Sequence, residues 1–427
     1  MARFFLGAWI CLAVVLSSSP AAAASELAWS WNLPRPQGNK LNGVAYGNGV
    51  WVAAGDDGSV VRSTNGMDWT ALPPPNPDSF QSVRFINGKF FAVGGYGLDL
   101  GMLIRWKRAT VATSTNGLEW SVISMDGDPI QDIAFAQGRF VAIGSSAQII
   151  HSPNGRDWLP ATLILKNAAG GDLKAVAGSP DRFVAAGNSG GILASEDGIT
   201  WTNLARIPTS FTDLIYTNRL FVAVSSDGSV RVSSDGLSWT KSNSGIPAAP
   251  LDKIHYAQGS FLACRSGGPI YRSYADYKFL LSRDGANWSV PKTGWADAVY
   301  SIAYGNGLFV AVTDSVTQGR GLFCSTDGIH WNRQEALTDY LNSVAFGDGK
   351  FMAVGWNSTV IQSDPVIQLV PSGPRSLLVR GEKNGRYPLE SSNDLLHWSA
   401  AGEASDAASF EWVPTTNTPR FFRLKPH

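Results

Sequence analysis

The sequence predicts an all-β fold: a closed ring of eight four-stranded blades, a β-propeller, followed by a small β unit. Three observations predict it. A hairpin-like segment recurs eight times along the 427 residues, at a mean spacing of about 43. A seven-residue turn motif ending in tryptophan follows the first seven hairpins. No repeat shows the 3.6-residue periodicity of an amphipathic helix. A period of about 40–45 residues built from short strands matches a propeller blade.

Composition sets the limits. The chain has 34 basic and 34 acidic residues, hence no formal net charge, and only 16% charged residues against the ~25% of ordinary domains. It is too long and too apolar to be disordered. It has no basic excess to neutralise phosphates, so nucleic acid is excluded as a partner. Three cysteines cannot build a disulfide framework.

Residues 1–24 read as a leader. Arg3 precedes an apolar run from Phe4 to Leu16, and Ala22-Ala23-Ala24 offers a cleavage site before Ser25. The run is short for a membrane span. The sequence therefore predicts a secreted, periplasmic or cell-surface bacterial protein with no membrane segment once the leader is removed. Cys264 and Cys324 then remain, more as two buried thiols than as a disulfide.

The hairpins come next. The first reads LNGVAYGNGVWVAAG at 41–55, and the eighth reads NSVAFGDGKFMAVG at 342–355. Two apolar runs around Asn-Gly or Asp-Gly are a β-hairpin, because both turn residues tolerate positive φ.

The turn motif is S-x-[DN]-G-x-x-W. Its copies place Asn65 before Trp69, Asn116 before Trp120 and Asn154 before Trp158. Four later copies carry an aspartate: Asp197 with Trp201, Asp235 with Trp239, Asp284 with Trp288, and Asp327 with Trp331. The Asp or Asn accepts backbone N–H bonds and folds its own turn. The tryptophan then begins a strand and fills the space between sheets.

The eighth copy stops at Val360–Pro365 without a tryptophan. The missing strand lies at the other end of the chain. Trp31 precedes Val44 by 13 residues, the spacing that separates Trp331 from Val344. An N-terminal strand can thus complete the last blade and remove the sheet edges at the seam. The count favours eight blades; seven follows if one terminal hairpin packs outside the ring.

These motifs resemble the Asp-box, or BNR, repeat of sialidase-like propellers, and are similar to those of the photosystem II assembly factor group. The resemblance covers about 29–365. It implies a propeller over 25–365 whose Asp-boxes are folding turns away from any catalytic centre. The spacing departs from the commoner S-x-D-x-G-x-x-W by one residue.

Residues 366–427 lose both period and motif and form a separate small β domain resembling β-sandwich-like modules of exported proteins. Strands are expected at 375–380 and 386–392, joined by a turn at Lys383-Asn384-Gly385. Further strands are expected near 410–413 and 420–424.

Variable segments point to the recognition face. In a propeller, the second-to-third connections and the blade-to-blade links share one face. Here they include insertions at 95–110, 265–280 and 313–321, and a long link at 159–174. Arg105, Trp106, Lys107 and Arg108 make one basic aromatic patch. Tyr271, Arg272, Tyr274, Asp276, Tyr277 and Lys278 make another, and Trp295, Asp297, Asp314 and Trp356 join the rim. Rings beside polar groups stack on sugars or anchor proteins.

Catalysis is less well supported. Asp276, Asp297 and Asp314 are the available acids, and nothing pairs two of them as glycoside hydrolysis requires. Ala205-Arg206-Ile207-Pro208 is a near match to the F/Y-R-I-P motif of the resembled sialidases, but mid-ring and without the aromatic. The five histidines have no ligand spacing, so neither metal nor cofactor is expected. The leading reading is an exported propeller that binds a polysaccharide or protein partner. Sialidase-like glycoside hydrolysis and an assembly or scaffold role are the alternatives.

Overall fold

The computed structural model describes residues 27–424, apart from 33, 100–103, 165–170, 205, 243–249, 266–278, 292–297, 315–320, 335–339, 374–375, 381–385, 393–398, 406–408 and 412–420. The leader lies outside the described residues. Among those residues the regular structure is strand, with three short 3-10 turns and no helix long and apolar enough to cross a membrane.

Eight sheets repeat one plan, and the chain is an eight-bladed β-propeller. Blade 1 consists of Leu41–Gly47, Val50–Gly55, Val60–Ser63 and Thr70–Leu72, paired antiparallel in that order. The inner strands of blades 2 to 8 are Ser79–Ile86, Ile130–Ala136, Leu173–Gly178, Phe211–Thr217, Lys253–Ala257, Ala298–Gly305 and Leu341–Gly347. Among the described residues blade 6 has three strands, extended by a bridge from Leu281 to Ser289.

The turn chemistry behaves as its residues dictate. At the first hairpin tip Asn48 (φ 50°) and Gly49 (φ 76°) are both left-handed, which gives the turn whose twist matches that of paired strands. Blade 4 has Pro180-Asp181 instead, and there Ser179 N–H bonds to the Arg182 carbonyl at 2.8 Å.

The core lies between blades. Val52, Ala54 and Val60 of blade 1 pack against Phe80, Val83, Phe90 and Ala92 of blade 2. The same arrangement joins Met352, Val354 and Val360 of blade 8 to Leu41, Val44 and Trp51 of blade 1. Gly43 permits the first contact: a Cβ there would lie 2.7 Å from the Val83 nitrogen.

Polar side chains fasten the inner strands to one another. Asn342 donates to the Leu41 carbonyl at 2.8 Å, and Asn42 to that of Phe80 at 2.9 Å. Asp132 accepts from Val176 N–H at 2.9 Å, Asp213 from Ile254 N–H at 3.0 Å, and Ser301 from Val344 N–H at 3.2 Å. Each bond crosses from one blade to the next.

The seam closes as the tryptophan spacing predicts. Trp29, Ser30 and Trp31 pair antiparallel with Ser363, Gln362 and Ile361. Leu27 N–H reaches the Gln334 side chain of blade 7 at 2.7 Å, and the Asn32 side chain reaches the Gly66 carbonyl of blade 1 at 3.0 Å. The first strand thus ties three blades.

Three local expectations change. The 159–174 link holds Thr162–Ile164, which adds a fifth strand parallel to Thr200–Asn203. The 95–110 insertion is mostly a hairpin, because Lys89–Asp99 and Ile104–Ser114 each run on for eleven residues. Beyond the ring, Ser376–Arg380 and Arg386–Ser392 do not form a hairpin together. The first pairs with Gln368–Gly373 and Ser409–Glu411, the second with Ser399–Ser405 and Phe421–Leu424. The expected turn at 383–385 lies outside the described residues.

Candidate functional site

The turn motifs sit on one face, and their geometry is uniform. In blade 1, Ser63 Oγ accepts from Gly66 N–H at 2.9 Å. Asn65 Oδ1 accepts from the N–H groups of Met67 and Asp68 at 2.9 and 2.8 Å. Trp69 Nε1 donates to the Gly66 carbonyl at 2.9 Å. Asp235 takes the same two bonds from Leu237 and Ser238 at 2.8 Å. Those N–H groups hold the Asp235 carboxyl down to about 2. Burial alone would raise Asp327, yet the His330 ring at 2.7 Å and the local N–H groups bring it to about 2. These charges are engaged within their own turns.

Five of the tryptophans, Trp158, Trp201, Trp239, Trp288 and Trp331, pack on a phenylalanine of a second strand. Trp201 lies 6.3 Å from Phe183 between ring centroids, and Trp331 stacks on Phe279 of blade 6 at 5.3 Å and 3°. Trp201 is fully buried, and Trp158, Trp288 and Trp331 are nearly so; Trp69, Trp120 and Trp239 are partly buried. Trp201 lies within its strand, whereas Trp69 and Trp158 precede theirs by one residue.

The opposite face carries the blade links and the connections from second to third strands. Tyr271, Tyr274, Asp276, Tyr277, Trp295 and Asp297 lie outside the described residues. The backbone of Arg105 and Trp106 belongs to the extended hairpin, opposite Leu98 and Gly97. Arg206 is exposed on the link between blades 4 and 5.

Lys107 and Arg108 are not loose cations. Lys107 Nζ lies 2.7 Å from Asp128, and Arg108 lies 3.8 Å from the buried Asp78. Lys107 and Ser146 together hold the Asp128 carboxyl below its ordinary range. Asp78 and Asp128 arrive on the links flanking blade 2, so the basic run is balanced by carboxylates distant in sequence.

Trp356 is placed differently. It opens the 3-10 turn Trp356–Ser358 after Gly355, at the seam between blades 8 and 1. Its side chain is 46% exposed, and Tyr340, on the link entering blade 8, is 40% exposed. Their rings lie 5.3 Å apart at 40°, with Lys40 Nζ 5.4 Å from the indole centroid. Arg35 reaches the Asn357 carbonyl beside them at 3.4 Å. The backbone fixes this corner: Trp356 N–H bonds to the Tyr340 carbonyl and Ser358 N–H to that of Asn39. Two large exposed rings beside a cation form a platform for a sugar face or an apolar side chain. Trp356 was visible in the sequence as a rim aromatic. Tyr340 was not, because only the fold brings the two together.

The other candidate chemistry is structural. Asp132 bridges to Arg84 at 2.7 Å, and burial raises its carboxyl despite that partner. Burial lowers the His255 imidazole to about 4, so it is neutral at pH 7. Cys264 and Cys324 are buried free thiols; burial pushes Cys324 up to about 12. Neither is reactive at neutral pH. No group of three or more metal-ligating side chains comes together among the described residues.

No protein-family model matches this chain, and no curated protein matches it. Solved structures do. The computationally designed Ika8 protein is 10% identical, with 77% of this chain and 97% of that one covered at a TM-score of 0.55. The C-terminal WD40 domain of Sif2 is 9% identical, with 79% and 98% covered at 0.52. YCF48 bound to D1 peptide is 14% identical, with 81% and 97% covered at 0.47. At these identities the likeness is one of fold, and the fold is the β-propeller.

Proposed function

We propose that the protein is an exported β-propeller that binds a polysaccharide or protein partner through the face opposite its turn motifs. The observation that carries this is the Trp356–Tyr340 pair with Lys40. The hydrogen bonds of the 3-10 turn fix the backbone that carries the indole, so no main-chain ordering is needed on binding. Export rests on the Arg3, Phe4–Leu16 and Ala22–Ala24 pattern.

The test compares the full mature chain with Trp356→Ala and Tyr340→Ala on a glycan array and on a displayed-peptide library. Each variant should keep the parent thermal midpoint within about 2 °C, since both side chains are surface groups. Each should lose about tenfold or more of its binding to whichever ligand class the parent selects. Undiminished binding by both variants would overturn the reading.

A further inference from the structure

A cleft on the turn-motif face, between blades 2 and 3, carries chemistry that folding does not use. Its volume is about 440 Å³, and Lys89, Thr115, Glu119, Trp120, Ser121 and Arg156 line it. That lies within the range of about 300–1,000 Å³ typical of small-ligand sites.

One residue breaks the repeat there, and a second lacks a bond that its aspartate counterparts make. The residue after the motif glycine is apolar in the other six copies, Met67 and Leu118 among them; in blade 3 it is Arg156. Asp68 and Asp157 each accept from their own turn's asparagine side chain at 2.8 Å. Glu119, one methylene longer, makes no such bond with Asn116. Neither the Glu119 carboxylate nor the Arg156 guanidinium has a hydrogen-bond partner among the described residues. Lys89 Nζ gives one donor to the Asn154 carbonyl and keeps two. Trp120 uses its Nε1 on the Gly117 carbonyl at 3.2 Å, and its partly buried ring forms a wall.

We infer that this cleft binds a saccharide of one or two rings bearing a carboxylate. Arg156 offers a planar fork to that carboxylate. Glu119 accepts from ring hydroxyls, the indole packs on a sugar face, and Thr115 and Ser121 supply further hydroxyls. Two cations against one carboxylate leave the cleft positive, which favours an acidic sugar over a neutral one. The cleft lies on the face opposite Trp356, and the inference does not depend on the role proposed for that residue.

Calorimetric titration of the full chain with digalacturonate tests it. Binding is expected below about 10 mM. Arg156→Met and Glu119→Gln, both at exposed positions, should each weaken it about tenfold or more, the effect of losing a charge-assisted hydrogen bond. The methyl ester of the same disaccharide should bind correspondingly worse. Arg219→Met, on a hairpin tip of blade 5, should change nothing. No binding up to about 10 mM, binding unmoved by both cleft variants, or equal binding of acid and ester would each overturn the inference.

Discussion

Blades 1 to 3 and blades 4 to 7 fold the same turn with different chemistry. The first three use Asn65, Asn116 and Asn154; the next four use Asp197, Asp235, Asp284 and Asp327. Both groups receive two backbone N–H bonds at 2.8–3.0 Å. The turn therefore needs a placed oxygen, not a charge. The two halves differ in what acid can do to them: an amide has nothing to titrate, while a carboxylate held low loses its charge only in strong acid.

The largest effect should come from the tryptophans behind these turns. Trp201→Ala leaves a cavity in a fully buried site and should cost about 3–5 kcal/mol in urea unfolding. Trp120→Ala removes a partly buried ring and should cost about half of that. Equal losses would show that burial does not distinguish the two groups. Removing residues 29–33 comes next. It strips the outer strand from blade 8 and should cost about 2–4 kcal/mol, read as a lower thermal midpoint. An unchanged midpoint would sink the closure of the ring by its first strand.

The acid comparison is smaller. Asp235 and Asp327 have folded values near 2 against an ordinary 3.8. Their contribution is complete above about 3.8 and is lost as pH falls through about 2. Amide exchange at Leu237 and Ser238 should accelerate over that window, while Leu118 and Glu119 show no extra change. Asp→Asn at all four positions should flatten the difference. The smallest effect is His330→Ala, which removes an exposed hydrogen bond to Asp327 worth at most about 0.5 kcal/mol.

Much of this architecture was legible because it repeats. Val44 and Val344 lie seven periods apart, and the spacing of Trp31 favoured eight blades, the number the sheets show. Pairing outside the ring was not legible. Alternation in 376–380 and 386–392 marks strands without naming their partners, and the two joined different sheets. The proposed binding face was only partly readable. A run of Lys107 and Arg108 looks basic in one dimension, and Asp128 and Asp78 neutralise it only after the links fold back. Arg156 and Glu119 sat at variable positions of a motif that reads as structural, and only the fold brings them to one cleft.

The first strand of the ring also sets an order of events. Trp29–Trp31 is synthesised before every blade, yet its partner, Val360–Ser363, comes at the far end of the repeats. The ring cannot close until nearly the whole chain exists. Until then, two tryptophans and an unpaired strand edge must be kept from other chains. Under the export proposed above, that segment emerges first, and assembly then depends on whatever shields these few residues in the interval.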